Sequence, residues 1–189
     1  MELIEQPVET IEKVATIASI CYGRNEAGDP LKLVEKRVEL GHGSVLEHAY
    51  FTWKIEGISR SCLAQLVRHR HASYTVRSQR YCDESGFDVV MPKSIKNNPT
   101  LSYRWETLLG ETARLYQDMR DVGIRKEDAR YILPIATETE LYMSCNLREL
   151  LHIADLRMDR STQWEIRELV TKMVESVDER LHFMFEEEL

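Results

Sequence analysis

The chain is poor in the residues that mark several large classes of protein. Its four cysteines, Cys21, Cys62, Cys82 and Cys145, form no C-x-x-C pair. That argues against a structural zinc site or a thioredoxin-type centre. In a reducing compartment they are free thiols. Five prolines and eight glycines are scattered over 189 residues, so no flexible linker is expected and a single domain over 1–189 is predicted. No apolar run approaches the ~20 residues of a membrane span. The opening MELIEQPVET lacks the basic and apolar stretches of a secretory signal. A cytoplasmic protein with no membrane partner is predicted. Basic residues are also outnumbered, with 25 Lys and Arg against 32 Asp and Glu and a net charge of -7. Nucleic acid needs an extended basic surface, so it is not an expected partner. There is no G-x-x-x-x-G-K-[ST] and no G-x-S-x-G, which excludes a P-loop nucleotidase and a hydrolase elbow.

Against this acidic background, RHRHASYTVRSQRY gathers Arg68, Arg70, Arg77 and Arg80 with His69 and His71. Arginine offers a planar fork that matches phosphate oxygens, and Ser78 adds a small donor. An Arg-rich run is usually a solvated face. Here no acid lies between Arg68 and Arg80, so the cluster repels itself unless an anion occupies it. Spacing alone therefore favours an anion site. Ser78 has no base fixed by spacing, which leaves a nucleophilic role unsupported.

Hydrophobic periodicity predicts mostly helix. TIEKVATIASICYG from Thr10 is helical. PLKLVEKRVELGHG begins at Pro30 and stops at Gly41. AYFTWKI, 49–55, has strand character, and helical spacing runs from Ile58 through Cys62 to Leu66. FDVVMP, 87–92, reads as a short strand closed by its proline. A long amphipathic helix ends at Gly123, KEDARYILP is stopped by Pro134, and TETELYMSC is a strand. Asn146 caps the helix LRELLHIADLR. Thr162 with Glu165 forms a capping box. After it, Ile166, Val170, Met173, Val174, Val177, Leu181 and Met184 trace one apolar stripe. Helices with a few irregularly placed strands indicate an α+β domain, rich in helix, rather than a doubly wound sheet.

Two weaker candidates remain. GHGSVLEH, 41–48, spaces His42 and His48 beside Glu47, but it is neither H-E-x-x-H nor a dinucleotide fingerprint. A turn with satisfied histidines is the simpler reading, and a metal site built on His42, His48 and His69 is poorly supported. Arg130, Arg148 and Arg157 are unremarkable one by one, since lone arginines most often end helices or pair at the surface.

Taken in order, the segments resemble the flavin-dependent thymidylate synthases. Arg68-His69-Arg70, seven residues and then Ser78 is similar to that family's signature. GHGSVLEH, Gln65, DARYILP, CNLREL and ADLRMDRSTQWEI resemble its other segments in register, so the likeness covers roughly Gly41 to Ile166. The resemblance implies an α+β fold with a small, mostly antiparallel sheet and a homotetramer with shared active sites. It implies methylation of deoxyuridine monophosphate (dUMP) to thymidylate. FAD would be the cofactor, NADPH and 5,10-methylenetetrahydrofolate the co-substrates, and no metal is implied. By position, the flavin would meet His42, Ser44, Glu47, Arg68, His69, Arg70, Val76, Asn146, Leu147, Arg148 and His152. The nucleotide would meet Gln65, Arg68, Val76, Arg77, Ser78, Gln79, Arg80, Arg130 and Arg157. Arg157 would also be catalytic, stabilising an N3-deprotonated uracil. The chain departs from the family at Thr75-Val76, where Asn-Glu is common, and at Ser161, where some members carry histidine. The alternative from another class is a non-catalytic nucleotide- or RNA-binding module that keeps the arginine-rich site.

Overall fold

The structure, a computed structural model, describes residues 1–21, 23 and 28–185. The first predicted helix reaches Tyr22, and the one-domain span 1–189 includes 22, 24–27 and 186–189; those positions lie outside the described residues. In chain order the elements are β1 (Glu2–Glu5), α1 (Thr10–Ile20), α2 (Pro30–Glu39), β2 (Tyr50–Ser59), α3 (Arg60–Leu66) and β3 (Ser73–Val76). Then come α4 (Lys93–Lys96), α5 (Pro99–Asp121), α6 (Lys126–Ala129), β4 (Glu138–Asn146), α7 (Leu147–Met158) and α8 (Trp164–Ser176). Short 3₁₀ turns cover Gly43–His48, Arg130–Ile132 and Glu179–Phe185. The strands form one antiparallel sheet in the order β1-β2-β4-β3. This is the α+β class expected.

The described residues group into two compact units. The described residues within Met1–Ile55, Gln65–Thr75 and Tyr142–Leu189 make up the first. Alternation along β2 buries Phe51, Trp53 and Ile55, and β4 buries Met143 and Cys145. Helical spacing sends Leu150, Ile153 and Ala154 of α7 and Ile166, Val170, Met173 and Val174 of α8 inward. Each such Leu, Ile, Val or Met side chain contributes roughly 1.5–3 kcal/mol on burial. Trp53 is fixed as well as buried, since its Nε1–H donates to Ser176 Oγ at 2.9 Å. Asn146 caps α7 as predicted, accepting from the Glu149 N–H at 2.9 Å.

The second unit comprises Glu56–Ala64 and Val76–Leu141. Asn98 and Pro99 start α5, and Gly123 stops it at φ 87, in the left-handed region that favours glycine. Tyr116 is the buried anchor of α5, and its Oη accepts from the Glu84 N–H at 3.2 Å.

Four local expectations are corrected. FDVVMP forms only an isolated bridge, Val89 to Thr137. Two hydrogen bonds, Val90 N to Ala136 O and Glu138 N to Asp88 O, flank it before Pro92, which has no N–H, ends the pairing. Ile58 belongs to β2, because the strand runs on to Ser59 before α3 begins. Gln163, not Thr162, caps α8, accepting from Glu165 N and Ile166 N, while Thr162 Oγ1 donates to Leu156 O. The helix that carries the final stripe ends at Ser176: Val177 is extended, Val177 and Leu181 are buried as expected, but Phe185 rather than Met184 is buried in the closing turn.

Candidate active site

A highly charged cavity of the first unit, about 490 Å³, is lined by Arg68, His69, Arg70, His71, Glu149, His152, Leu156 and Arg157. Two segments build it. On α7, the spacing of 149, 152, 156 and 157 puts those side chains along one helical face. The others lie on a turn after α3. There Arg68 N donates to Gln65 O, His69 N to Leu66 O and Ala72 N to His69 O. Tyr74 locks this turn: its hydroxyl is shared between Leu66 O at 2.8 Å and His69 O at 3.0 Å. Burial raises the Tyr74 pKa well above the ordinary phenol value, so it remains a donor.

His69 is the centre of the cluster. It is 5% exposed. Its pKa falls to about 4, first through burial and then through the charges of Arg157, His152 and Arg68. The neutral ring accepts at Nε2 from Arg157 Nε at 3.0 Å, which assigns its own proton to Nδ1. His152 meets it edge-on, with ring centroids 6.2 Å apart. Arg68 and Arg70 have no carboxylate partner among the described residues.

A second cavity of about 280 Å³ in the same unit is lined by Arg37, His42, Gly43, Ser44 and Arg148, among others. Arg148 is held by Glu47 at 2.5 Å. Gly43 is needed here for closeness, since a Cβ on it would meet Arg148 Nε at 3.2 Å. Leu147 N donates to Ala49 O at 2.8 Å, which ties the start of α7 to the end of the histidine turn. The structure thus brings together His42, Ser44, Glu47 and Arg148. The Leu147 side chain is fully buried.

In the second unit, Ser78 starts a turn in which its Oγ accepts from Arg80 N at 3.2 Å, leaving its own O–H to donate. Arg80 Nε is bound by Glu127 at 2.7 Å, and Arg130 Nε donates to Glu127 O at 3.1 Å. Arg125 also pairs with Glu127 at 3.0 Å. These cations depress the Glu127 pKa, Arg80 most of all. A cavity of about 460 Å³ is lined by Arg80, Tyr81, Arg120, Gly123, Arg125, Lys126 and Glu127. Arg77 stands apart: Glu84 and Glu140 flank it at 3.5 and 3.6 Å, and it donates to Asp83 O. Gln79 Nε2 is buried without a hydrogen-bond partner among the described residues. Val76 is half-buried at the end of β3.

The expectation that no acid neutralises the arginine run is therefore corrected for half of it. Arg77 draws nearby Glu84 and distant Glu140, and Arg80 draws distant Glu127, while Arg68 and Arg70 draw no carboxylate among the described residues. Sequence reasoning missed Glu127, Arg120, Arg125, Lys126, Tyr74 and Glu149. Only the acidic start of α6 (KED) offered a signal. Among the described residues no group of three His, Cys, Asp or Glu side chains could hold a metal ion. No described helix is long and apolar enough to cross a membrane.

A family model described as thymidylate synthase complementing protein matches residues 2–181. A flavin-dependent thymidylate synthase of Pyrococcus furiosus is 42% identical over 186 residues, covering 93% of this chain and 76% of the relative. One from Geobacter sulfurreducens is 39% identical over 186 residues, covering 93% and 80%. The fold is similar to that of thymidylate synthase X from Helicobacter pylori solved with FAD and dUMP. The TM-score is 0.85 at 22% identity, over 100% of this chain and 99% of that one. It is also similar to a UMP/dUMP methylase from Streptomyces cacaoi bound with 5-Br dUMP. There the TM-score is 0.85 at 24% identity, over 98% and 93%.

Proposed function

Because the chain belongs to the flavin-dependent thymidylate synthase family, we propose that it converts dUMP to dTMP by reductive methylation. The carbon comes from 5,10-methylenetetrahydrofolate, and FAD recharged by NADPH is the cofactor. The observation that carries this reading is the arginine cavity around a neutral, buried His69. Arg68 and Arg70 present guanidinium groups with no carboxylate partner among the described residues, which suits the pyrophosphate of a dinucleotide. Asn146, Leu147, Arg148 and His152, with His42, Ser44 and Glu47, are the remaining candidates for the flavin, Val76 joining through its backbone. Once bound, the flavin supplies the hydride chemistry.

The chain's own residues bind, orient and polarise. Ser78 and Arg80 hold the nucleotide phosphate, with Gln79 and Arg130 of the same unit, and Gln65 is a further candidate for the nucleotide. Glu127 leaves the terminal nitrogens of Arg80 to the ligand while fixing its Nε. Arg77 contributes through the turn that it braces. Arg157, its Nε engaged by His69, turns its remaining donors to the uracil and stabilises negative charge at N3. The single family match over 2–181 supports reading the two units as one functional domain. The same kinship supports reading the chain as a homotetramer with shared sites. The free cysteines, two of them buried, accord with the cytoplasm.

The test is direct. Purified protein should be yellow or take up FAD, oxidise NADPH in the presence of dUMP, and form dTMP with the folate. A protein that binds dUMP but forms no dTMP under those conditions would instead be the non-catalytic binding module.

A further inference from the structure

Helix α5 is 23 residues long, about 34 Å, yet buries only Tyr116. Leu101, Leu108 and Leu115 on it and Val122 at its C-cap fall at strict seven-residue intervals. All four are exposed, by 46, 63, 47 and 77%. At 3.6 residues per turn such a row drifts only ~20° per heptad, so it forms one continuous apolar stripe. Four large side chains aligned over about 31 Å are not the scattered single hydrophobes of an ordinary surface. Half-buried Trp105, Thr112 and Met119 fall between the stripe and the core-facing side.

We propose that this stripe is the surface on which α5 packs antiparallel against α5 of a second copy of the chain. The charges that border the stripe select that occupant. Arg104 and Asp118 are exposed and lie beside its two ends. Neither has a side-chain ion pair among the described residues. A two-fold axis near Glu111 sets Leu101 opposite Val122 and Leu108 opposite Leu115 of the other copy. The same operation sets Arg104 against Asp118 twice over, as an isologous contact requires. The one like-charge meeting, Glu111 with its copy at the axis, has Arg114 a turn further along on the same side. A parallel pairing would put Arg104 on Arg104 and Asp118 on Asp118, and is rejected by its charges.

The proposal deepens the homotetramer reading and rests on it, so the test separates the two. Sedimentation velocity on the full chain gives the assembly mass of wild type, Leu108→Glu, Arg104→Glu, Asp118→Arg and the double charge swap. Circular dichroism checks that each is folded. Wild type is expected as a tetramer and Leu108→Glu at half that mass. Each single swap should weaken association at least ~10-fold, and the double swap should restore it, which misfolding would not do. A wild-type tetramer whose mass none of the variants changes would overturn this surface, leave the tetramer standing and assign the stripe to another partner. Single swaps that dissociate without rescue would overturn the antiparallel register. A wild-type monomer would overturn the tetramer and this surface together.

Discussion

Arg157 directs its Nε–H at the Nε2 of His69 across 3.0 Å, joining positions 88 apart in sequence. The contact requires a neutral imidazole, because a protonated ring would offer Arg157 a second cation instead of an acceptor. Burial and three neighbouring cationic or titratable groups keep it neutral, with a pKa of about 4. The cavity therefore holds a stack of guanidinium charge around an uncharged donor-acceptor.

The first prediction concerns that proton. In the unfolded chain histidine titrates near its ordinary 6.5, and in the fold near 4. Between those values the unfolded state binds more protons, so stability rises with pH across the window. The contribution is fully present above about 6.5 and is lost as pH falls through 4. His69→Gln should therefore show a flatter dependence of Tm on pH between 4 and 6.5 than wild type. Arg157→Ala should raise the His69 pKa in an NMR titration without restoring 6.5, since burial is the largest cause. A His69 signal that titrates at 6.5 in wild type would sink the assignment.

Arg80 and Arg157 should fail differently. Arg80→Ala removes a charge-assisted contact to phosphate, which is worth about 1.5–3 kcal/mol. The dUMP dissociation constant should rise about 10- to 100-fold. Arg157→Ala should lower kcat more than it weakens binding, because its contribution grows with charge on the uracil. If both variants raised only the apparent KM for dUMP, the activating role of Arg157 would be wrong.

What the sequence made legible was local. Pro30, Gly41, Gly123 and Asn146 act within a turn of themselves, and the elements they bound appear where expected. The strand β3 was hidden inside the arginine run, because four residues of alternation are too few to stand out among charges and its pairing is with β4. Capping by Gln163 rather than Thr162 reflects a one-residue shift that no pattern decides. For the site, resemblance named segments that the structure partly gathers, with Arg68, His69, Arg70, His152 and Arg157 lining one cavity. The partners that set their electrostatics, Glu127 on Arg80 and Arg157 on His69, are 47 and 88 residues away. Periodicity does not report such distances.

Gly43 offers a geometric test of the smaller cavity. An added Cβ would sit 3.2 Å from Arg148 Nε, tighter than comfortable contact, so the side chain must shift and loosen its pair with Glu47. Gly43→Ala should retain less flavin after purification, read as a lower ratio of absorbance at about 450 nm to that at 280 nm. Its folding stability should stay within about 0.5 kcal/mol of wild type, as for other surface changes. Full flavin retention would mean that Arg148 does not need this placement to hold the cofactor.

Glu127 should matter through Arg80 alone. Its carboxyl is held below the usual range, mainly by the Arg80 hydrogen bond and then by Arg125. It is therefore ionised at neutral pH and loses its grip only as pH falls through that depressed value, below 4.5. Glu127→Gln keeps the shape but removes the charge that aims Arg80. Binding of dUMP, measured by calorimetry at pH 7, should weaken several-fold, less than in Arg80→Ala. The double variant should be no worse than Arg80→Ala, since Glu127 acts by positioning that one side chain. In acid, wild-type affinity should fall toward that of Glu127→Gln, and comparing the two removes the titration of the nucleotide's own phosphate. Additive losses in the double variant would mean that Glu127 serves the site by a route other than Arg80.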